Sequence, residues 1–293
     1  MTGRIIILEA PSRLGLSSGG VEMLPKALLA AGFAEKIGAW RGAEIPPPPH
    51  DEKIDEATGV LNLAGIAAYT ITLADALEPL LAGGKIPVVL GGDCSILLGC
   101  LLAARRRGHR GLLFLDGHAD FFQPSAEPKG EVASMELAIA VGRHDTILAS
   151  PEGRVPLIRE EDVVAFGRRD EQDSDEHGSQ RIEDSAVELI NLTRIREAGI
   201  AAATRQALDH LARLDGFWLH LDADVLDAEI MPAVDHIVEG GLGWDELIHV
   251  LRRAFATGRV IGIDITILNP ALDKDGSVTR RFVDAVASGM KAD

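Results

Sequence analysis

The stretch Gly111-Leu-Leu-Phe-Leu-Asp-Gly-His-Ala-Asp120 runs from small and apolar residues directly into polar ones. Its apolar part is typical of a strand buried on both faces, and Asp116, His118 and Asp120 follow at alternate positions. While the chain stays extended, side chains at alternate positions lie on one face, so these three point the same way. The stretch therefore predicts a buried strand that ends in a cluster of polar side chains.

Two further apolar runs end in the same manner, Val88-Val-Leu-Gly-Gly-Asp-Cys-Ser95 and Trp218-Leu-His-Leu-Asp-Ala-Asp224. Four unpaired carboxylates that converge at the end of a buried sheet repel one another strongly unless a cation lies between them. Carboxylate and imidazole ligands suit Mn²⁺-like divalent ions, so the pattern predicts a metal site. The alternative for either aspartate cluster alone is that its carboxylates cap the helices or turns that follow.

Short apolar runs alternate along the chain with longer Ala/Leu-rich amphipathic stretches, which is the pattern of a parallel sheet covered by helices on both faces. We predict strands at Arg4–Leu8, Ile86–Leu90, Gly111–Leu115, Val163–Phe166, Phe217–Leu221 and Val260–Ile265. Predicted helices include Gly20–Ala31, Gly59–Leu81, Ser95–Arg107, Thr204–Leu214 and Trp244–Thr257. The pattern indicates an α/β fold, and we expect residues 1–293 to form a single domain.

Composition restricts the classes of partner. The 293 residues carry a formal net charge of −16, which repels nucleic acid and anionic membranes. No apolar stretch approaches the length of a membrane span, and the apolar run near the N-terminus is too short for a signal peptide. Only two cysteines, Cys94 and Cys100, are present, too few for a disulfide framework. We expect a cytoplasmic protein that acts on a small molecule.

The motifs resemble those of the ureohydrolase (arginase/agmatinase/formimidoylglutamase) superfamily. Three of them, Gly91-Gly-Asp-Cys-Ser95, Asp116-Gly-His-Ala-Asp120 and Asp222-Ala-Asp-Val-Leu-Asp227, are similar to its metal motifs in order and separation. The resemblance extends over nearly the whole chain, to the final motif Asp264-Ile-Thr-Ile-Leu-Asn-Pro270. It implies a three-layer α/β/α sandwich with a mainly parallel central sheet, a binuclear manganese site, and a homo-oligomer, either trimer or hexamer.

The resemblance also implies a ligand for each position of the site. Asp116 and Asp222 would bridge two ions, Cys94 and Asp120 would complete one ion, and His118 and Asp224 the other. Asp116, His118 and Asp222 would also serve in catalysis. Such a pair of ions binds a bridging hydroxide that attacks the carbon of a linear amidine, guanidino or formimino group.

Three positions depart from the family pattern. The family usually has His where Cys94 stands, and a Cys there either ligates a metal as thiolate or only fills space. With four aspartates, a thiolate brings the ligand charge to −5 against +4 from two divalent ions and favours Zn²⁺ or Fe²⁺. Ala133 stands where arginases and agmatinases have a His, and Ile267 where they have the Glu that binds the guanidinium. Ordinary arginase activity is therefore not expected.

Other polar residues have open assignments. His220 lies two residues before Asp222, so the two side chains lie on the same face of the strand. This position suits either a group beneath the metals or a hydrogen-bonded core histidine. His144 and His177 could replace the missing family His, but surface positions are expected for both. The charged segment 168–185 predicts a solvated excursion from the core; because it begins at a strand end, it could also reach over a site. We expect a metal-dependent hydrolase of C–N bonds; the alternative is a metal-binding pseudoenzyme or regulatory protein of the same fold.

Overall fold

The structure, a computed structural model, describes residues 4–291 and contains one eight-stranded sheet. Its strands are β1 (Ile5–Glu9), β2 (Trp40–Glu44), β3 (Ile86–Leu90), β4 (Gly111–Leu115), β5 (Val163–Phe166), β6 (Glu188–Ile190), β7 (Phe217–Asp222) and β8 (Val260–Thr266). They lie in the order β2-β1-β3-β8-β7-β4-β5-β6, and every neighbouring pair of these strands is parallel. The sheet is thus parallel throughout, beyond the mainly parallel sheet expected.

Ten α-helices cover the sheet. They are α1 (Leu24–Ala30), α2 (Phe33–Ile37), α3 (Leu63–Ala82), α4 (Ile96–Arg106), α5 (Glu136–Ala140), α6 (Glu171–His177), α7 (Leu192–Ala198), α8 (Ile200–Leu211), α9 (Trp244–Ala256) and α10 (Ser277–Met290), within residues 4–291. Buried side chains of α3, α4 and α5 form one hydrophobic cluster, and those of α1, α2 and α7 to α10 form another. This arrangement confirms the α/β/α sandwich.

The alternation of side chains along each strand explains the two clusters. Val88 and Leu90 of β3 pack in one cluster and Val89 in the other, and β4 divides its residues between the clusters in the same way. Every residue of β3, β4, β5 and β7 is buried. Strands buried on both faces consist of continuous apolar residues, which is why their sequences predicted them well.

The edge strands β2 and β6 are absent from the predicted set. All five residues of β2 are exposed, and two of the three in β6 are partly exposed. Backbone pairing with a neighbouring strand holds such segments, so they carry little hydrophobic pattern. Of the predicted strands, three have the observed bounds, and those at the two ends of the chain and at β7 differ by a residue or two.

The sheet order brings the three polar motifs together. Strands β3, β8, β7 and β4 are neighbours, so their carboxyl ends form one edge of the sheet. A close backbone approach supports this edge: a Cβ on Gly92 would lie 1.6 Å from the carbonyl oxygen of Ser12. Only glycine fits there, and it lets the loop after β3 direct its polar residues to the same edge. Among residues 4–291, no helix is both long and apolar enough to cross a membrane.

Candidate metal centre

The loops after β4 and β7 are joined at the carboxyl edge of the sheet. The Gly117 amide donates to Oδ1 of Asp224 at 3.0 Å, and Nδ1 of His118 lies 2.9 Å from the other oxygen of that carboxylate. Asp116 follows β4 directly, and its Oδ1 accepts from the His118 amide at 2.6 Å. Burial disfavours protonation of His118, but Asp224 and Asp116 raise its pKa well above the usual value. A divalent cation at this position would replace that proton.

Cys94 lies at the same edge, between the loops after β3 and β7. Its Sγ is 2.9 Å from Oδ2 of Asp222 and 3.3 Å from Oγ1 of Thr266, the last residue of β8. Burial, and then the charge of Asp222, raise the pKa of the thiol well above its usual value. Without a cation the sulfur is therefore a thiol that donates to Asp222, and a bound cation would favour the thiolate.

Asp120 completes the set of predicted ligands, and it is held in an unusual backbone conformation. Its φ is +46°, in the left-handed region that Asp tolerates better than most residues. Burial, and then the charges of Asp116 and Glu136, raise the pKa of its carboxyl. The same causes act at Asp222, where burial and the charge of Asp224 raise the pKa. The carboxyl groups of Asp120 and Asp222 are thus buried and repelled by neighbouring carboxylates, as the sequence pattern predicts.

Glu136, the first residue of α5, is a site residue that the sequence reasoning missed. It is fully buried, and neither of its carboxylate oxygens has a hydrogen-bond partner among the described residues. The signal was present, because Glu136 is a lone acidic residue within the apolar run from Val132 to Val141. Its carboxylate changes the expected ligand charge from −5 to −6 if every acid is ionised.

His220 combines the two roles left open by the sequence. Its Nδ1 lies 2.5 Å from Oδ2 of Asp264, and its ring stacks on Phe114 with 4.7 Å between the ring centroids. Among residues 4–291, the other ring nitrogen, Nε2, has no hydrogen-bond partner, and it lies 3.8 Å from Oδ2 of Asp116, which also has none. It is therefore a hydrogen-bonded core histidine that also faces the acidic cluster.

The donor atoms fall into two overlapping groups. One consists of Asp116, His118 and Asp224, and the other of Cys94, Asp116, Glu136 and His220, with ligand atoms in each group within 4.8 Å of one another. An unpaired buried polar atom costs roughly 1–3 kcal/mol, and several of these atoms are unpaired. A divalent cation would satisfy them, so these donors fit a metal site. Of the ligands that the resemblance implies, Asp120 and Asp222 belong to neither group.

A pocket opens beside the candidate metal ligands. It has a volume of about 240 Å³, and its walls include His118, Asp120, Asp222 and Asp224. Both Ala133 and Ile267 line it, so the two departures from the family pattern face the site. Ile267 has a φ of +70°, which strains a β-branched residue.

The histidines proposed as substitutes have different surroundings. His144 is buried, with Nε2 bonded to the Phe122 carbonyl at 2.8 Å, so the expected surface position is wrong. It is also not among the residues that line the pocket. His177 of α6 is half exposed and does line the pocket. Another histidine, His236, lines the pocket with its ring centroid 6.5 Å from that of His118.

The segment 168–185 is more ordered than its charge predicts. It contains α6, and it begins with the buried ion pair between Arg168 Nε and Asp170 Oδ1 at 2.6 Å. The second oxygen of Asp170 accepts from the Ala119 amide at 3.2 Å. Ala119 lies between His118 and Asp120, so this part of the segment supports the candidate ligands. Asp173 and His177 line the pocket, so the segment reaches over the site, while much of the rest is exposed as expected.

Comparison with known proteins points to one family. The model of the Arginase family matches residues 4–290. The arginase of Bacillus subtilis (strain 168) is 29% identical over 293 residues, with 98% of each chain covered. The arginase structure of Bacillus cereus has a TM-score of 0.87 at 26% identity and covers 99% of each chain.

A more distant structure shares the fold. Proclavaminate amidinohydrolase from Streptomyces clavuligerus has a TM-score of 0.73 at 18% identity, over 98% of this chain and 91% of that one. The family match over nearly the whole chain, together with the carboxylate and histidine donors at the edge of the sheet, confirms the resemblance in the motifs. The chain belongs to the Arginase family.

Proposed function

We propose that the chain is a metal-dependent hydrolase that cleaves a C–N bond in a linear amidine, guanidino or formimino compound. The observation that carries the proposal is the presence of Asp116 in both donor groups beside a pocket of small-molecule size. A carboxylate shared by two donor groups suits two neighbouring ions. Bound ions would lower the pKa of a water molecule and present it to an electrophilic carbon.

The proposed ligands follow the contacts. Asp116 and Asp222 would hold both ions: Asp116 belongs to both donor groups, and Asp222 lies 2.9 Å from the Cys94 sulfur while its Oδ1 accepts from the Asp224 amide at 2.7 Å. His118 and Asp224, with ligand atoms 2.9 Å apart, share one ion, and Cys94 and Asp120 belong to the other. Two Mn²⁺ ions are expected, with Zn²⁺ or Fe²⁺ as alternatives because of the sulfur ligand.

The pocket selects the substrate by charge. Its carboxylates Asp173 and Asp235 lie outside the proposed ligand set and would attract a positively charged group on the substrate, whereas Asp170 is already paired with Arg168. Ile267 cannot pair with a guanidinium, which removes a charge-assisted contact of roughly 1.5–3 kcal/mol. A less basic amidine depends less on that contact, so L-arginine should be hydrolysed slowly or not at all.

The test is hydrolysis by protein loaded with Mn²⁺, Zn²⁺ or Fe²⁺. Guanidino, amidino and formimino compounds are screened for release of urea, ammonia or formamide, with L-arginine included. Asp222→Ala should abolish turnover and lower the occupancy of both ions. Asp227→Asn is the matched control, because Asp227 belongs to the same motif but its side chain, within the described part of the chain, accepts from the Glu229 amide at 2.9 Å and lies in neither donor group. Turnover of arginine at rates usual for enzymes, roughly 1–10³ per second, would contradict the expected substrate preference.

The second candidate is a metal-binding protein without turnover. Ala133 and Ile267 favour it, because both replace polar family residues in the pocket wall. Full metal occupancy with no product from any compound would support this candidate and exclude the hydrolase. We also propose a trimer or hexamer, which light scattering tests as three or six times the chain mass of 31.2 kDa.

A further inference from the structure

The Cys94 side of the centre contains two donors beyond the set implied by the family motifs. Glu136 and His220 are both fully buried, and the ligand atoms of Cys94, Asp116, Glu136 and His220 all lie within 4.8 Å of one another. We propose that Glu136 and His220 are metal ligands that would bind the same ion as Cys94 and Asp116. The proposal rests on the proposed function only in requiring that this edge of the sheet binds divalent cations.

The hydrogen bonds of His220 favour this role. Asp264 accepts from Trp218 Nε1 at 2.5 Å through one oxygen, and His220 Nδ1 lies 2.5 Å from the other. A carboxylate with two such neighbours assigns the Nδ1 proton to His220, so Nε2 is the ring nitrogen that would bind an ion once the ion displaces its proton. Metal-binding histidines almost always donate their second ring nitrogen to a carboxylate or carbonyl in this way. His220 is thus oriented as a ligand.

The spacing of the unpartnered atoms also fits an ion. Nε2 of His220 and Oδ2 of Asp116 are 3.8 Å apart, too far for a hydrogen bond, and neither has another partner among residues 4–291. Ligand atoms around a tetrahedral Zn²⁺ lie about 3.3–3.6 Å apart. Small shifts on binding would bring these two atoms to that separation, and both oxygens of Glu136 are free to join them.

The length of the Cys94 side chain explains why the ion would lie closer to the sheet. The ligand sulfur of a cysteine is one bond from Cβ, whereas the ring nitrogens of a histidine are two or three bonds away. An ion bound to the sulfur would therefore lie nearer the backbone. The sulfur already contacts Thr266 of β8, and His220 lies on β7, two residues before Asp222. Glu136 and His220 are therefore placed where an ion bound to a short ligand needs donors.

The experiment is a Co²⁺ titration of the metal-free full chain, because a thiolate bound to Co²⁺ gives a near-ultraviolet charge-transfer band that reports the Cys94 site. Glu136→Gln keeps the shape of the side chain and removes its charge. The Co²⁺ affinity measured from this band should fall at least about 10-fold, as it does when residues around a metal site are replaced. His220→Gln should have a similar effect, and circular dichroism of the metal-free variants checks folding.

Glu131→Gln is the matched control. It removes a buried carboxylate from the same segment, but this carboxylate accepts from the Ser17 amide at 2.7 Å. It should leave the band and its midpoint unchanged. Unchanged titrations of Glu136→Gln and His220→Gln, or Co²⁺ binding to the wild type without a thiolate band, would overturn the proposal. A failure of the proposed hydrolase would show instead as missing product, because this titration measures only binding.

Discussion

At the scale of single residues, Cys94 has the largest chemical effect on the centre. It is buried beside Asp222, and its thiol holds its proton well above the usual pKa because of burial and that neighbouring charge. As a ligand it would contribute a negative charge where the family usually has a neutral His. The centre would become more electron-rich and would accept softer ions.

Substitution of Cys94 tests this effect. Cys94→Ser should weaken one of the two ions and leave the ion held by His118 and Asp224 less affected. Cys94→His should shift preference toward Mn²⁺ and move the pH profile of hydrolysis to lower pH, because the ligand becomes neutral. Cys100→Ser is the control, since Cys100 is also a buried free cysteine but lies in α4. Elemental analysis and metal titration of the wild type and the three variants test the prediction. Equal metal binding by all four proteins would show that Cys94 only packs beside the site.

Ile267 lines the pocket and is the residue that we expect to limit binding of a positively charged substrate. Ile267→Glu places a carboxylate in the pocket wall, and it should raise kcat/KM for a guanidino substrate by roughly 10- to 100-fold, which corresponds to one charge-assisted contact. Ile267→Gln has the same length without the charge and serves as the control. Steady-state kinetics of both variants checks the prediction. Equal gains from Gln and Glu would show that relief of the strained φ of +70°, and not charge, limits the wild type.

At the scale of elements, the centre depends on loops that follow the carboxyl ends of neighbouring strands. The loop after β5 contributes Arg168, which contacts Asp170 and Glu183, and Asp170 in turn holds the Ala119 amide. The loop after β4 is thereby fixed from two sides, by Asp170 and by the contact between Gly117 and Asp224. Rigid support of this kind keeps ligands in place before a metal binds.

Removal of the Arg168 side chain should therefore affect both stability and the metal. Arg168→Gln leaves Asp170 buried without its cation and should lower the free energy of unfolding by about 3 kcal/mol. Urea unfolding measures this loss, and Mn²⁺ affinity should fall as the Ala119 amide shifts. Arg181→Gln is the control in the same segment, because its pair with Asp175 is exposed and worth less than ~1 kcal/mol. Equal losses from the two variants would mean that burial of the pair does not matter.

At the scale of the whole molecule, the buried acids oppose folding when no metal is bound. The pKa values of Asp120, Glu136 and Asp222 are all raised, first of all by burial and then by neighbouring carboxylates, while Asp116 is the exception with a lowered pKa. In the unfolded chain such carboxyls lose their protons near pH 4. The folded metal-free protein thus binds more protons above that pH, and its stability falls as the pH rises.

The predicted result is a lower thermal midpoint of the chelator-treated protein at pH 8 than at pH 5. His118 and His220 act in the same direction, because their raised pKa values also favour protons in the folded state. Glu136→Gln should raise the metal-free midpoint more at pH 8 than at pH 5, since its amide carries no charge to desolvate. Differential scanning calorimetry of both proteins measures this, and metal loading should flatten the wild-type dependence. If Glu136→Gln changed the thermal midpoint of the metal-free protein equally at pH 5 and pH 8, this would contradict a raised pKa at Glu136.

Much of the centre follows from local sequence. Short continuous apolar runs predict β3, β4, β5 and β7, because this pattern is typical of strands that are buried on both faces of a parallel sheet. Where each run stops, Asp116, His118 and Asp222 stand at positions that the strand direction alone assigns to one end of the sheet. The residue types and their spacing then predict a cation, because carboxylates held so close together require one.

The tertiary structure alone decided which of these ends are neighbours and what else reaches them. Strands β8 and β7 lie between β3 and β4, so Thr266 and His220 come close to Cys94 although more than a hundred residues separate them from it in the chain. Glu136 joins the same cluster from a short helix, and the edge strands β2 and β6 form without a hydrophobic pattern. The physical reason is that packing between distant segments depends on the shape and pairing of the whole sheet, whereas periodicity reports only the burial of each segment by itself.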